Sequence, residues 1–290
     1  MNTPAATLSP TPSWVGPLMM AAGAVAIGFA PIGLRLSPFE PQATAFWRFA
    51  FALPLIAAVI WSRGGRIGKP SAMALLAGTF FGFDIAFWHA SLVMTSVANA
   101  TFLVNLGNAS VGLVAWIALG ERPTRIWPWA LGVALFGALL LSRGAADGGA
   151  SGLTGDLLAT LAAVMVGLYL FFAKLARRTM PAMNVLLWST LATFVVSAGA
   201  TAIKGENLVP PDASWFVMPL ALAVVAHVLG QGLIVAGVGR TPAALAGILL
   251  LIQPVTGALV AWPLFNESLT QLQLAGCVLV LFGVWLAGRR

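Results

Sequence analysis

The sequence predicts an all-α integral membrane protein: ten transmembrane helices arranged as two inverted five-helix repeats. Three observations carry that prediction. First, 60% of the 290 residues are hydrophobic and only 8% are charged, whereas a soluble domain carries about a quarter charged residues. Such a chain cannot cover itself with polar surface, so lipid must be its solvent. Second, the chain repeats itself at an offset of about 146 residues, the separation of Glu121 from Glu267. At that offset Leu113-Val114-Ala115-Trp116 falls on Leu259-Val260-Ala261-Trp262, Thr124 on Thr270, Leu135-Phe136-Gly137 on Leu281-Phe282-Gly283, and Arg143 on Arg289. Identities spread over some forty residues at one offset mark a duplication. Third, Lys and Arg are distributed unevenly among the gaps between apolar runs, which sets an orientation in the membrane.

Apolar runs read as spanning a bilayer of about 30 Å at about 1.5 Å per residue, the fifth of them short, are Trp14–Leu34, Gln42–Trp61, Ser71–Val93, Val97–Leu119, Ile126–Leu141, Leu153–Lys174, Ala182–Ile203, Ser214–Val238, Pro242–Phe265 and Leu269–Ala287. The division that follows is a disordered tail over 1–13, a first repeat over 14–143, a periplasmic linker over 144–152 and a second repeat over 153–290. The tail is rich in Pro, Thr and Ser and has no Lys or Arg, so it lacks the basic region of a cleaved signal peptide. Cys277 is the single cysteine and lies in an apolar run, which leaves no disulfide framework and reads as a structural thiol.

With the N-terminus in the cytoplasm, the inside gaps hold Arg63, Arg66 and Lys69; Arg122 and Arg125; Lys174, Arg177 and Arg178; Arg240; and Arg289 with Arg290. The outside gaps hold only Arg35, Arg143 and Lys204. Both termini are therefore expected in the cytoplasm, across the inner membrane of a bacterium. The net charge of +7 is accounted for by this orientation and not by nucleic acid. An odd number of helices per repeat inverts the second copy, the architecture of many secondary transporters.

Enzymatic chemistry finds no support. There is no HExxH and no GxxxxGK[ST], and two histidines cannot make a three-His zinc site. Gly149-Ala150-Ser151-Gly152 resembles the GxSG of rhomboid-type intramembrane proteases, with His227 as the available base. Ser151 is at the external edge, however, and His227 lies roughly 20 Å deeper; a nucleophile and its base must be about 3 Å apart. No cofactor or metal is expected.

Polar groups at membrane depth are the candidate site, because an ionisable side chain at a helix centre costs about 2.5–3.5 kcal/mol. Asp84, Asn108, His227 and Gln253 each fall near the middle of an apolar run, and the four come from different helices. Gln231 is one turn from His227, and Asn105 one turn from Asn108. Polar groups from several helices converging at the midplane are the disposition of a substrate site; hydrogen bonding between helices is the alternative for Asn, Gln and His. At the repeat offset His227 and Gln231 fall on Phe81 and Ile85, so the polar pair occurs in one copy only. Trp88, four residues after Asp84, and Tyr169, the only tyrosine, complete the candidate set. Arg48 lies about a turn and a half inside its helix, where snorkelling or a pairing with Glu40 accounts for it. Glu121 and Glu267 are at turns and are expected to cap the helices that follow them. Trp47, Trp127, Trp129 and Trp215 are placed for an interfacial belt, and Gly78 with Gly82 permits close helix approach.

Several of these residues carry a resemblance. Gln253-Pro254-Val255, Asn266-Glu267-Ser268-Leu269-Thr270 and Gly283 resemble the signature of the last two helices in the EamA-type drug/metabolite transporter superfamily. Gly120-Glu121-Arg122-Pro123-Thr124 resembles the same hinge in the first repeat, Gly155-Asp156-Leu157-Leu158 the start of the second, and Arg48 an arginine of the second helix. One departure stands out: Asn108 occupies the position opposite Pro254 where the family usually has proline. The resemblance implies ten helices, cytoplasmic termini and export of small metabolites, amino acids among them. With an aromatic-rich interior and no deep Lys/Arg cluster, the expected partners are the lipid bilayer and neutral or aromatic amino acids as substrate, with other metabolites or cationic drugs as the alternative.

Overall fold

The fold is described by a computed structural model over residues 12–95, 97–143, 152–266 and 268–289, with the side chains of 97–99 and 109 left aside. Most of the tail and the linker, with Ser151, and Glu267 lie outside the described residues. The secondary-structure elements among the described residues are all helical, with no strand. In order they form α1 (Val15–Gly28), α2 (Ala30–Leu36), α3 (Pro41–Ser62), α4 (Ala72–Ser91), α5 (Val97–Leu119), α6 (Trp127–Arg143), α7 (Leu153–Ala176) and α8 (Ala182–Lys204). A 3₁₀ turn (Ala213–Phe216) then leads into α9 (Val217–Leu222), a π-helical segment (Ala223–Gln231) and α10 (Gly232–Val238). The chain ends with α11 (Ala243–Leu250), α12 (Ile252–Phe265) and α13 (Gln271–Ala287).

Among the described residues eight helices, counting α1–α2, the 213–238 stretch and α11–α12 as one each, are long and apolar enough to cross a membrane, while α6 and α13 have 17 residues each. Large apolar side chains cover the outside, among them Ile203, Ile117, Trp129 and Leu153. Helices apolar on both faces belong in lipid, and the protein is a multi-pass membrane protein.

Two of the long stretches are broken by prolines. Pro31 and Pro254 lack the N–H that would bond the carbonyl four residues earlier, at Ile27 and Leu250. The helix is interrupted at Phe29, between α1 and α2, and at Leu251, between α11 and α12. α5 has Asn108 where the later copy has Pro254, and it runs unbroken. The third irregularity is the π segment, whose i→i+5 hydrogen bonds widen the turn.

Contacts between the halves come in exchanged pairs. α6 packs on α13. A Cβ added to Gly137 would stand 2.8 Å from the Gly276 carbonyl oxygen and 2.6 Å from the Val280 nitrogen. A Cβ added to Gly283 would stand 2.8 Å from the Ala130 carbonyl oxygen and 2.9 Å from the Ala134 nitrogen. At the 146-residue offset Gly137 becomes Gly283, and Gly276 and Val280 become Ala130 and Ala134, so one contact is the image of the other. α3 and α8 repeat the pattern with a shift of 141, the separation of Trp47 from Trp188. The Trp47 indole donates to the Leu208 carbonyl at 3.1 Å, just past the end of α8, and the Trp188 indole donates to the Gly68 carbonyl at 2.9 Å, just past the end of α3. The two helices therefore lie antiparallel, each start against the other's exit.

Two local expectations are corrected, and the close helix approach expected at Gly78 and Gly82 is found. Trp127 is buried and donates to the Ala244 carbonyl at 2.9 Å, so it joins α6 to α11 and does not sit in a lipid-facing belt. Glu121 does not cap α6, the helix that follows it. Its Oε2 accepts from the backbone N–H of Ala243 at 3.2 Å, the first residue of α11, and from Lys174 Nζ at 2.7 Å. The N-terminus it serves is distant in sequence and adjacent in space. Gly78 and Gly82 face α8 within the same chain: a Cβ on Gly78 would overlap the Ser189 carbonyl oxygen at 1.9 Å, and one on Gly82 would meet Val196 at 2.6 Å.

Candidate functional site

The breaks at Phe29 and Leu251 and the end of the π segment meet around one interior cavity of about 140 Å³. Gly28, Ala30 and Pro31 reach it from the first break, Leu250, Gln253 and Pro254 from the second, and Gln231 from the π segment. Broken helices around a buried cavity are how transporters bring polar backbone and side chains to membrane depth. The remaining wall comes from α3, α4, α5, α7 and α10, with the apolar Phe81, Ile85, Val104, Val166 and Ile234 set among the polar side chains.

Six of the seven residues singled out in the sequence line this cavity: Asp84 and Trp88 from α4, Asn108 from α5, Tyr169 from α7, Gln231 from the π segment and Gln253 from α12. The Gln231 amide donates to the Tyr169 hydroxyl, which joins the π segment to α7. Asn105 donates to the Thr101 carbonyl at 2.7 Å, and Asn108 donates weakly to Asn105 Oδ1 at 3.4 Å. Asn108 Oδ1 itself is buried with no partner among the described residues.

His227 is the exception. Its Nε2 lies 2.7 Å from Thr190 Oγ1 on α8, and its ring packs against Phe49 and Phe81, with centroids 5.0 Å and 6.2 Å away. Thr190 gives its one hydroxyl proton to the Leu186 carbonyl at 2.6 Å. The imidazole must then donate from Nε2, which assigns the Nε2–H tautomer. His227 thus ties the π segment to α8 from behind Phe81 and does not line the cavity. Residues four apart stack in an α-helix, but the wider π turn sends His227 and Gln231 to different neighbours.

Arg48 is the residue that sequence reasoning assigned elsewhere. It lines the cavity, is 7% exposed, and leaves its Nε without a partner; the guanidinium carbon lies 5.3 Å from the Phe49 ring centroid. It makes no ion pair with Glu40 among the described residues. Asp84, 6% exposed, likewise has no hydrogen bond or ion pair to another described residue. A buried cation and a buried carboxylate thus share one cavity without being paired to each other. The sequence signal that could have found Arg48 is the guanidinium itself, inside an apolar run with no acidic residue a turn away. Among the described residues no group of three His, Cys, Asp or Glu comes together to hold a metal ion. Cys277 is free and buried.

The sequence pattern of the EamA-like transporter family matches residues 14–143 and again residues 153–289. A probable amino-acid metabolite efflux pump of Salmonella typhimurium is 30% identical over 240 residues, covering 76% of this chain and 78% of that protein. A protein of the same description from Escherichia coli K12 is 30% identical over 208 residues, covering 68% and 66%. A solved crystal structure superposes with a TM-score of 0.83 at 21% identity, covering 94% of this chain and 96% of the other, and shares the fold.

Proposed function

The chain belongs to the EamA-like transporter family, a transporter and not an enzyme, and from that premise we propose that it exports small zwitterionic amino acids by alternating access. The observation that carries this reading is the pair Arg48 and Asp84, a cation and a carboxyl group in one cavity, neither of them ion-paired to another described residue. Burying a charge without a partner costs several kcal/mol. An α-amino acid supplies both partners at once, its carboxylate to Arg48 and its ammonium to Asp84. Asn108, Gln231 with Tyr169, and Gln253 then bind the remaining polar atoms, and Trp88 and Phe81 receive the side chain. The names of the two enterobacterial relatives support an amino-acid efflux reading as well.

Size supports the same class. A cavity of about 140 Å³ is close to the ~150 Å³ that accepts benzene and well below the ~300–1,000 Å³ of drug-sized pockets. Export of cationic drugs accounts for Asp84 and leaves Arg48 unexplained.

Ten membrane helices in two inverted repeats are the architecture this mechanism uses. The twofold match of the family pattern, the antiparallel α3 and α8 and the exchanged α6–α13 contacts support it. Rocking one repeat against the other opens the cavity alternately to each side. The Lys and Arg distribution supports an inner-membrane orientation with both termini cytoplasmic. The test is counterflow of radiolabelled neutral amino acids in liposomes holding the purified protein. Saturable exchange is expected; exchange of organic cations without any amino acid would defeat the reading.

A further inference from the structure

A second cavity, of about 590 Å³, opens where the C-terminal end of α7 meets the α5–α6 loop and the α10–α11 turn. Five cations line it, Arg122, Lys174, Arg177, Arg178 and Arg240, against the single carboxylate of Glu121. That carboxylate is already engaged, accepting from Lys174 and from the N–H of Ala243. Among the described residues none of the four arginines has an acidic partner.

The cluster is built, not merely present. Lys174 is also held by the Thr241 carbonyl at 3.0 Å. The Arg177 guanidinium donates to the carbonyls of Val235, at 3.1 Å, and Met180, which fixes its direction. A Cβ on Gly239 would stand 3.0 Å from Arg177 Cβ, so the absence of a side chain there lets the α10–α11 turn bring Arg240 alongside. Burial, then the neighbouring Arg240 charge, lowers the Arg177 pKa from the ordinary arginine value. The basic residues of the 63–69 loop, Arg63, Arg66 and Lys69, differ: all are exposed on an open segment and satisfy the orientation rule without converging.

We infer that this cavity binds a phosphate group. Guanidinium forks match phosphate oxygens in pairs, and a convergent set of cations without counter-charge is stabilised by one polyvalent anion. The group can come from an anionic phospholipid headgroup or from free phosphate. The position at the end of a membrane-spanning helix, on the side that the Lys and Arg distribution assigns to the cytoplasm, favours the lipid.

The experiment uses purified full-length protein in neutral detergent. Short-chain phosphatidylglycerol and inorganic phosphate are titrated separately, with melting temperature and native mass spectrometry as readouts. Phosphatidylglycerol is expected to raise the melting temperature and persist as a one-to-one adduct. The double variant Arg178→Gln/Arg240→Gln, two exposed positions, is expected to bind about tenfold or more weakly. The control Arg63→Gln/Arg66→Gln removes the same charge outside the cavity and is expected to bind as the parent does. Inorganic phosphate acting as strongly as the lipid supports the phosphate site and assigns it to the soluble anion. Equal weakening in both double variants, or no effect of either ligand on the parent, overturns the inference.

Discussion

α6 and α13 meet through Gly137 on one helix and Gly283 on the other, equivalent positions making equivalent contacts. Around the central cavity the equivalence fails. At the repeat offset Asp84 corresponds to Gly230 and Asn108 to Pro254, and Arg48 corresponds to Ser189 at the shift that relates α3 to α8. A duplication starts with every contact in two copies. Where both copies persist, as in the two glycines and the indoles of Trp47 and Trp188, the contact serves the scaffold that both halves share. Where only one copy bears a polar group and that group lines the cavity, as with Arg48, Asp84 and Asn108, the proposed reading assigns it to something without two-fold symmetry, such as a single small molecule.

The largest effect expected from this contrast is on transport. Asp84→Asn and Arg48→Gln should each lower counterflow about 30-fold or more, because truncating one partner of a buried charge pair costs about 2–5 kcal/mol. Melting temperatures should stay near that of the parent, since neither group has an ion pair among the described residues. Parent-like counterflow in either variant would remove that residue from the site.

The scaffold side is tested by Gly137→Leu and Gly283→Leu. Each forces a side chain into a contact closer than 3 Å, and overpacking of this kind costs about 1–3 kcal/mol. The two variants should lose similar stability in thermal unfolding. A large loss in one with none in the other would break the equivalence of the two contacts.

His227 and Gln231 separate the two kinds of residue within one π segment. His227→Ala removes the hydrogen bond to Thr190 and should destabilise by about 1–3 kcal/mol, with transport per folded molecule kept. Gln231→Ala should keep more of its stability and lose more of its transport. Both quantities must be measured on the same preparations, and the reverse pattern would return His227 to the substrate site.

The smallest effect is the most symmetrical. Trp47→Phe and Trp188→Phe each delete one indole hydrogen bond to a carbonyl, worth about 0.5–1.5 kcal/mol. Unequal losses beyond that range would mean the pair is not shared scaffold.

What could be read from the sequence follows from which signals are local. Apolarity and the 146-residue repeat are carried by every residue of a segment, so the helical runs were legible almost to their ends. Asp84, Asn108 and Gln253 were legible as candidates because depth can be counted along a helix, and Tyr169 because it is the only tyrosine. Direction around the helix axis is harder. The π winding that turns His227 behind Phe81 leaves no periodicity to read. Arg48 was placed near an end by counting along α3, but the break at Phe29 brings the cavity to its level. Glu121 caps a helix whose start lies 122 positions away, a pairing no local pattern announces.

The most direct test of the central claim compares three ligands on the parent protein: a neutral amino acid, the amine left by removing its carboxylate, and the acid left by removing its ammonium group. Competition against labelled amino-acid counterflow is measured for each at equal concentration. A cavity that grips both ends through Arg48 and Asp84 should accept the amino acid and reject both analogues by about tenfold or more. An amine or an acid competing as well as the intact amino acid would contradict the assignment of that end to its charged partner.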